Sequence, residues 1–295
     1  MQSQCYRHFA ASIVVVLAAL AAAVSGTASA ARVAVISNFY QNETATAFGA
    51  NIGGHSFTPI DVSVSVPSLA QLTANFDVVL LFEDATFGNA PAVGNVIAAF
   101  AKSGRAVVLG TFYDQDRTDG PASFTPHGWG ALESIDPNVT DGTGTAYAVR
   151  SLDPASVVTH PLTAGVTALF GNRFVGGNQA KPGTIVVANW AQKNARGGAD
   201  PAIAYRISEG ACVIHIAIAP QYPALAELNT DFGGNFYRVW RNAFDFGADH
   251  CVTGVGNINA VAAVAIPTLS DAALALTALL LAALAALPLR RAALR

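Results

Sequence analysis

Apolar residues fall along the chain in short runs broken by polar or glycine-containing stretches, and the period of each run predicts its element. Residues 31–37 (ARVAVIS) are a brief run rich in β-branched side chains, which predicts a buried first strand. A short helix is expected over 43–50, stopped by Gly53-Gly54. TPIDVSVSV (58–66) alternates, with Ile60, Val62, Val64 and Val66 facing one way, so it reads as a second strand. SLAQLTANF (68–76) predicts a helix capped by Ser68. FDVVLLF (76–82) is continuously apolar, as a strand covered on both faces should be. Over 92–102, Val93, Val96, Ile97 and Phe100 share one helical face; Gly104 ends that helix, and RAVVLG (105–110) follows as the fourth strand.

Alternating strands and helices at this spacing predict an α/β fold with a doubly wound, mostly parallel sheet. After Thr111 the pattern changes. Residues 114–144 are rich in Asp, Gly, Pro and Thr and read as a long loop or insertion. TAYAVRSL (145–152) and GTIVVANW (183–190) read as strands. AIAYRI and CVIHIAIA flank Ser208-Glu209-Gly210, a hairpin signal that adds antiparallel strands to the sheet. Residues 235–248 predict a closing helix with Phe236, Val239, Trp240, Ala243 and Phe244 on one face, and 252–265 a short Gly/Asn/Ala linker. No internal repeat is visible.

Both ends are hydrophobic in different ways. A polar start with Arg7 and His8 precedes an apolar run at 13–24, and Ala28-Ser29-Ala30 places small residues where a signal peptidase reads. This predicts a signal peptide over 1–30, cut after Ala30; the alternative is an uncleaved N-terminal anchor. Residues 272–289 carry no charge and are mostly Ala and Leu. As a helix they would cover roughly 27 Å, close to the thickness of a hydrocarbon core, so one C-terminal transmembrane helix is expected. A buried core helix is the alternative, but no polar face exists to meet water. Arg290, Arg291 and Arg295 follow, and basic residues favour the cytoplasmic side.

Composition narrows what the body between these ends can do. The whole chain has 16 basic and 19 acidic residues. One base lies in 1–30, and three bases and one acid lie in 266–295, which leaves 31–265 with twelve bases, eighteen acids and a net charge of about −6. An acidic, Lys-poor body argues against nucleic acid and against adhesion to anionic headgroups. Its length suits one large domain, expected over 31–251, able to bury a core without staples. Cys212 and Cys251 are an even pair in an oxidising compartment; they read as a disulfide or as two buried thiols.

Ile266-Pro267-Thr268-Leu269-Ser270, the apolar span and the basic tail together resemble the IPTL-CTERM sorting signal of Gram-negative bacteria. Asp271 is kept, followed by Ala272-Ala273 where that family commonly has Trp-Gly. The resemblance implies an exosortase-type membrane protease as partner, and inner-membrane anchoring facing the periplasm or delivery to the cell surface. The body resembles a class I glutamine amidotransferase-like domain, including ThuA-like versions, through FDVVLLFEDATF, AAFAKSGRAVVLGTF, THPLTAGV and YRVWRNAFDFG.

That second resemblance implies a nucleophilic Cys straight after the fourth strand, where this chain has Thr111, and a His near the end of a late strand with an acid two residues on. His215 is the late-strand candidate, and Ala217 stands at the acid's place. A threonine hydroxyl needs a base poised beside it, so no catalytic residue is assigned. Glu83 and Asp84 stand just past the third strand, where open α/β sheets bind ligands. Asp114, Asp116 and Asp119 resemble a calcium loop, but the Gly falls one place late and no Glu closes it, so a polar turn and no metal is expected. His127 neighbours Trp129, and an aromatic beside a polar ring can floor a sugar site, against an ordinary packed loop. His160 before Pro161 reads as structural. No phosphate-cradling Gly pattern, Cys/His metal cluster or GxSxG elbow is present, and no cofactor is implied. The expected function is a noncatalytic exported module that binds an envelope glycan or partner through Glu83, Asp84, Asp114, His127 and Trp129. The alternative is a secreted hydrolase with an acidic/His site at the same strand ends.

Overall fold

A computed structural model describes residues 30–84, 87–115, 128–139, 149–194 and 196–251. Its centre is a seven-stranded sheet in the order β2-β1-β3-β4-β9-β8-β7. The first five strands in that order are parallel: β2 (Ser56–Asp61), β1 (Arg32–Ser37), β3 (Val78–Leu81), β4 (Ala106–Gly110) and β9 (Ala211–Ile216). β8 (Asp200–Ser208) and β7 (Ile185–Trp190) continue it antiparallel. Glu209 and Gly210 both have positive φ, as a tight hairpin between β8 and β9 requires. A separate antiparallel sheet joins β10 (Phe232–Gly234), β6 (Leu169–Gly171) and β5 (Arg150–Ser151). The chain is therefore α/β with a mostly parallel mixed sheet, as its alternating pattern predicts.

Side chains on successive strand positions feed two cores, one on each face of the sheet. Val33, Val35, Val78, Leu80, Ala106 and Val108 pack on one side with α1 (Gln41–Asn51), the short α4 (Tyr222–Leu225) and α5 (Phe236–Phe246). There Phe48 of α1 meets Trp240, Phe244 and Phe236 at ring separations of 5.7, 6.0 and 6.4 Å. Ala34, Ile36, Val79, Leu81, Val107 and Leu109 pack on the other side with α2 (Leu69–Asn75) and α3 (Ala90–Lys102). Ser68 caps α2 in a reciprocal box with Gln71, and Asn89 caps α3 by accepting from the Ala92 amide. Of the predicted α3 face, Val93, Ile97 and Phe100 are fully buried and Val96 packs at the margin.

The second strand differs from expectation. It runs over Ser56–Asp61 instead of 58–66, and Val64 is 95% exposed. Asp61 accepts the Ser63 amide at 2.8 Å, which turns the chain out of the ladder before the alternation ends. Pro59 is tolerated because β2 is an edge strand paired only with β1. The strand expected over 145–152 contributes Arg150–Ser151, and its residues 145–148 lie outside the described residues. The spans proposed at 1–29 and 272–289 also lie outside them; among the described residues no helix is long and apolar enough to cross a membrane.

Two glycines of the helices make opposite predictions. At Gly94 a Cβ would stand 1.8 Å from the Trp129 carbonyl oxygen, because α3 presses directly on the backbone of the insertion. Gly94→Ala should cost about 1–3 kcal/mol through overpacking. Gly49 in α1 has nothing within 4 Å, so Gly49→Ala should stabilise by roughly 0.5–1 kcal/mol. Urea melts of the two variants check both signs.

Candidate functional site

The strand order reverses between β1 and β3, and the carboxyl ends of β1, β3, β4 and β9 meet there. β1 ends at the buried Ser37, and past it comes Asn38, whose Oδ1 accepts the Asp84 amide at 3.4 Å. Past β3 come Phe82 and Glu83, both fully buried, then the half-buried Asp84. Past β4 comes the turn Thr111-Phe112-Tyr113-Asp114, buried at every position. The Phe112 amide donates to the Glu83 carbonyl at 3.0 Å, and the Thr111 amide to Ile218 at 3.3 Å. Gly110 permits this turn: a Cβ there would fall 2.7 Å from Pro220 and 3.2 Å from Trp240. Gln221 follows Pro220 and is fully buried.

His215 lies opposite Leu109 across the β4–β9 ladder and faces the α3 side. Its Nδ1 accepts from Asn138 Nδ2 at 2.5 Å, which places the ring proton on Nε2, 3.9 Å from Asp114 Oδ1. Burial drives the His215 pKa down to about 3, so the ring is neutral at ordinary pH. Thr111 Oγ1, Gln221 Oε1 and Nε2, and both amide atoms of Asn178 are buried without a hydrogen-bond partner among the described residues. The centre of the sheet's carboxyl edge is thus lined with polar groups whose hydrogen-bonding capacity the described residues leave unfilled.

Two ion clusters fix the walls. Asp136 accepts from Tyr113 Oη at 2.7 Å and pairs with Lys181 Nζ, which also donates to the Glu133 carbonyl at 2.7 Å. Burial pushes the Asp136 carboxyl up to about 7 against the pull of that ammonium. Asp200, also fully buried, accepts from Gly177 and Asn178 amides at 2.6 and 2.9 Å and from Arg150 Nε at 3.0 Å. Burial raises its carboxyl too, while these donors oppose the rise. Asp200 thereby pins the 172–180 loop, whose Gly176 amide reaches the Ala217 carbonyl at 3.0 Å. The sequence carries no local signal for Asp136, Lys181, Asp200 or Asn178, because each depends on partners tens of residues away.

The expected site residues distribute unevenly. Glu83, Asp84 and Asp114 do stand at the strand ends. Trp129 is fully buried in the second core, stacked on Tyr113 at 4.8 Å and donating from Nε1 to the Tyr113 carbonyl at 2.9 Å. His127, Asp116 and Asp119 lie outside the described residues, as does 266–269. His160 is structural: its Nδ1 accepts the Leu162 amide at 3.2 Å and its ring stacks on Tyr205. Cys212 is buried on β9. Cys251 ends the π-helical turn Gly247–Cys251. Among the described residues no group of three or more His, Cys, Asp and Glu gathers as a metal would need.

Residues 264–292 match the IPTL-CTERM motif, a sorting signal handled by an exosortase-type system, so this is an exported, surface-sorted protein. No curated protein matches the chain in sequence. In structure it is similar to a cytoplasmic protein of Salmonella typhimurium LT2, with a TM-score of 0.50 and 13% identity over 73% of this chain and 99% of that one. A second Salmonella typhimurium cytoplasmic protein has a TM-score of 0.48 and 13% identity, covering 73% and 98% of the two chains. A ThuA-like protein of Bacteroides uniformis ATCC 8492 gives 0.47 and 14%, covering 75% and 93%. The first of these likenesses concerns the fold alone, an α/β body with a mostly parallel mixed sheet.

His215 and Asp136 titrate in opposite senses. His215 is depressed below its unfolded value near 6.5, so its contribution is lost as pH falls from about 6.5 toward 3. Asp136 is raised above its unfolded value near 3.9, so its contribution is lost as pH rises from about 4 to 7. The stability gap between wild type and Asp136→Asn should therefore move against wild type across that window, by at most about 1.4 kcal/mol per pH unit. Chemical denaturation at stepped pH measures it, and the His215 ring should show no NMR titration above about pH 4.

Proposed function

We propose that the body is a noncatalytic ligand-binding module, displayed on the cell envelope, whose β1/β3 crevice takes a glycan unit of that envelope. The observation that carries this reading is the elbow after β4. It holds Thr111, a hydroxyl that needs a base to react, on a turn whose amides are already committed to Ile218 and Glu83. Beside it stand the polar groups a sugar would use, Asn38, Glu83 and Asp84, and the aromatic Phe39, which is 52% exposed at the end of β1. Aromatic faces and carboxylates together suit the apolar faces and hydroxyls of a sugar ring. A hydrolase is the second reading, favoured by Asp114, which stands 3.9 Å from His215 Nε2 where Ala217 offers no acid.

Calorimetry against a panel of envelope oligosaccharides tests the first reading. Phe39→Ala or Asp84→Asn should weaken the best binder about tenfold or more, equivalent to ~1.4 kcal/mol, with little change in melting temperature. Turnover of ester, amide or glycoside substrates that is lost in Asp114→Asn would support the second reading and overturn the first.

Export itself is read as cleavage after Ala30, and 272–289 as a membrane helix holding the body toward the periplasm until an exosortase-type protease processes the tail. In that oxidising compartment Cys212 and Cys251 would pair. What supports the pairing is that Cys212 lies opposite Ala106 across the β4–β9 ladder and that Gly247, which opens the turn ending at Cys251, packs against the same Ala106. The bridge would close a loop of about forty residues, worth roughly 3–4 kcal/mol. Thiol titration of exported, denatured protein should find none; two free thiols would refute the bridge.

A further inference from the structure

The first residue of β1 is preceded by a contact that neither core nor crevice requires. The Ala31 amide nitrogen lies 3.1 Å from His55 Nδ1, and His55 Nε2 lies 3.1 Å from Asp245 Oδ1 on α5. An amide can only donate, so Nδ1 is the acceptor, the ring proton sits on Nε2, and the imidazole is neutral. Its side chain is 1% exposed, edge-on to Phe244 and Phe57 at 5.9 and 6.3 Å, and burial lowers its pKa. The charged groups around it are Asp245 and Arg241 from α5 and Asp249 from the turn after α5; Arg241 Nε is 3.5 Å from Asp245 Oδ2.

Ala31 is 2% exposed, whereas Ala30 is exposed. The Ala31 carbonyl accepts the Ser56 amide at 3.0 Å, and Arg32 is held through its amide and guanidinium by Asp77. The chain thus passes from solvent into a fully engaged strand at the bond that the Ala28-Ser29-Ala30 pattern marks for cutting. We propose that the His55–Asp245 pair is a receiving site for the α-amino group that hydrolysis of the Ala30–Ala31 bond creates. It rests on cleavage after Ala30. Hydrolysis adds water across that bond, leaving a carboxylate on the departing Ala30 and an amine on Ala31. The amine takes up a proton near neutral pH, since its ordinary pKa is about 7.7–8.0. The ammonium keeps the donor that the amide used toward His55, and its new positive charge lies one imidazole away from the Asp245 carboxylate. Ammonium faces imidazole through a hydrogen bond, and imidazole faces the Asp245 carboxylate in a 3.1 Å contact that is not aligned as a hydrogen bond, so the new terminus docks without rearranging β1.

The test uses the exported, processed protein, with N-terminal sequencing first. A terminus other than Ala31 overturns the cleavage reading, and the clamp with it. If Ala31 leads, the α-amine is labelled with a limiting acylating reagent at neutral pH and followed by peptide mass spectrometry. In folded wild type it should react about tenfold or more slowly than in urea-unfolded protein, because a charge-assisted hydrogen bond holds the proton that acylation must remove. His55→Asn keeps an acceptor near the Nδ1 position and should retain part of the protection, while His55→Ala should lose it. Equal labelling of folded and unfolded wild type, or undiminished protection in folded His55→Ala, would overturn the clamp while leaving processing intact.

Discussion

The parallel pairing of β4 with β9 is the constraint on which the rest of this structure depends. About a hundred residues separate these strands, yet their register sets Ala106 against Cys212, Leu109 against His215 and Gly110 against Ile216. Loop closure over that distance costs entropy that only a long, buried ladder can offset. β9 offsets it by being buried at all six positions and by carrying β8 and β7 with it as a hairpin. Once β9 is seated, the chain past its end must cross the β4 elbow. Ile218 then takes the Thr111 amide, and Pro220 comes to rest on Gly110.

The insertion between these strands is held by buried charge rather than by regular structure. Asp200 at the start of β8 and Asp136 in the insertion are both fully buried, and each collects several donors. A buried carboxylate is costly unless such donors surround it. The donors come from Arg150, Gly177, Asn178, Lys181 and Tyr113, so each acid draws together segments that no strand pairing would join. Removing one partner would leave its acid uncompensated.

The parts of this fold that were legible in the sequence are those decided by local period. The runs at 31–37, 76–82 and 105–110, the capped helix after Ser68 and the hairpin at Glu209-Gly210 are all local, and all stand in the structure. β2 was legible as a strand but not in extent, because the Asp61–Ser63 contact overrides an alternation that continues through Val66. Glu83, Asp84 and Asp114 could be placed because each follows a readable strand. The pairing of His215 with Asn138 could not, since 77 residues separate them and nothing in either neighbourhood announces the other. Trp129 shows the same limit from the opposite side. Its neighbours in sequence suggest an exposed polar loop, whereas its indole fills the space between Tyr113 and Phe87.

What distinguishes this crevice from a merely imperfect interior is where its unfilled polar groups lie. A buried hydroxyl or amide without a partner costs about 1–3 kcal/mol, and a fold under selection for stability alone would replace it with an apolar isostere. Thr111 could be Val and Gln221 could be Leu with little change of volume. Instead, polar side chains occupy the ends of β4 and β9, beside the point where the strand order reverses and where an α/β sheet presents its helix termini and loops to a ligand. Apolar side chains adjoin them directly, at Leu109 two residues before Thr111 and at Ile216, Ala217, Ile218 and Ala219 between His215 and Gln221. A hydrogen-bonding partner beyond the described residues, whether a bound molecule, ordered water or another segment of the chain, gives those residues a physical reason to be polar, which packing against the two cores does not.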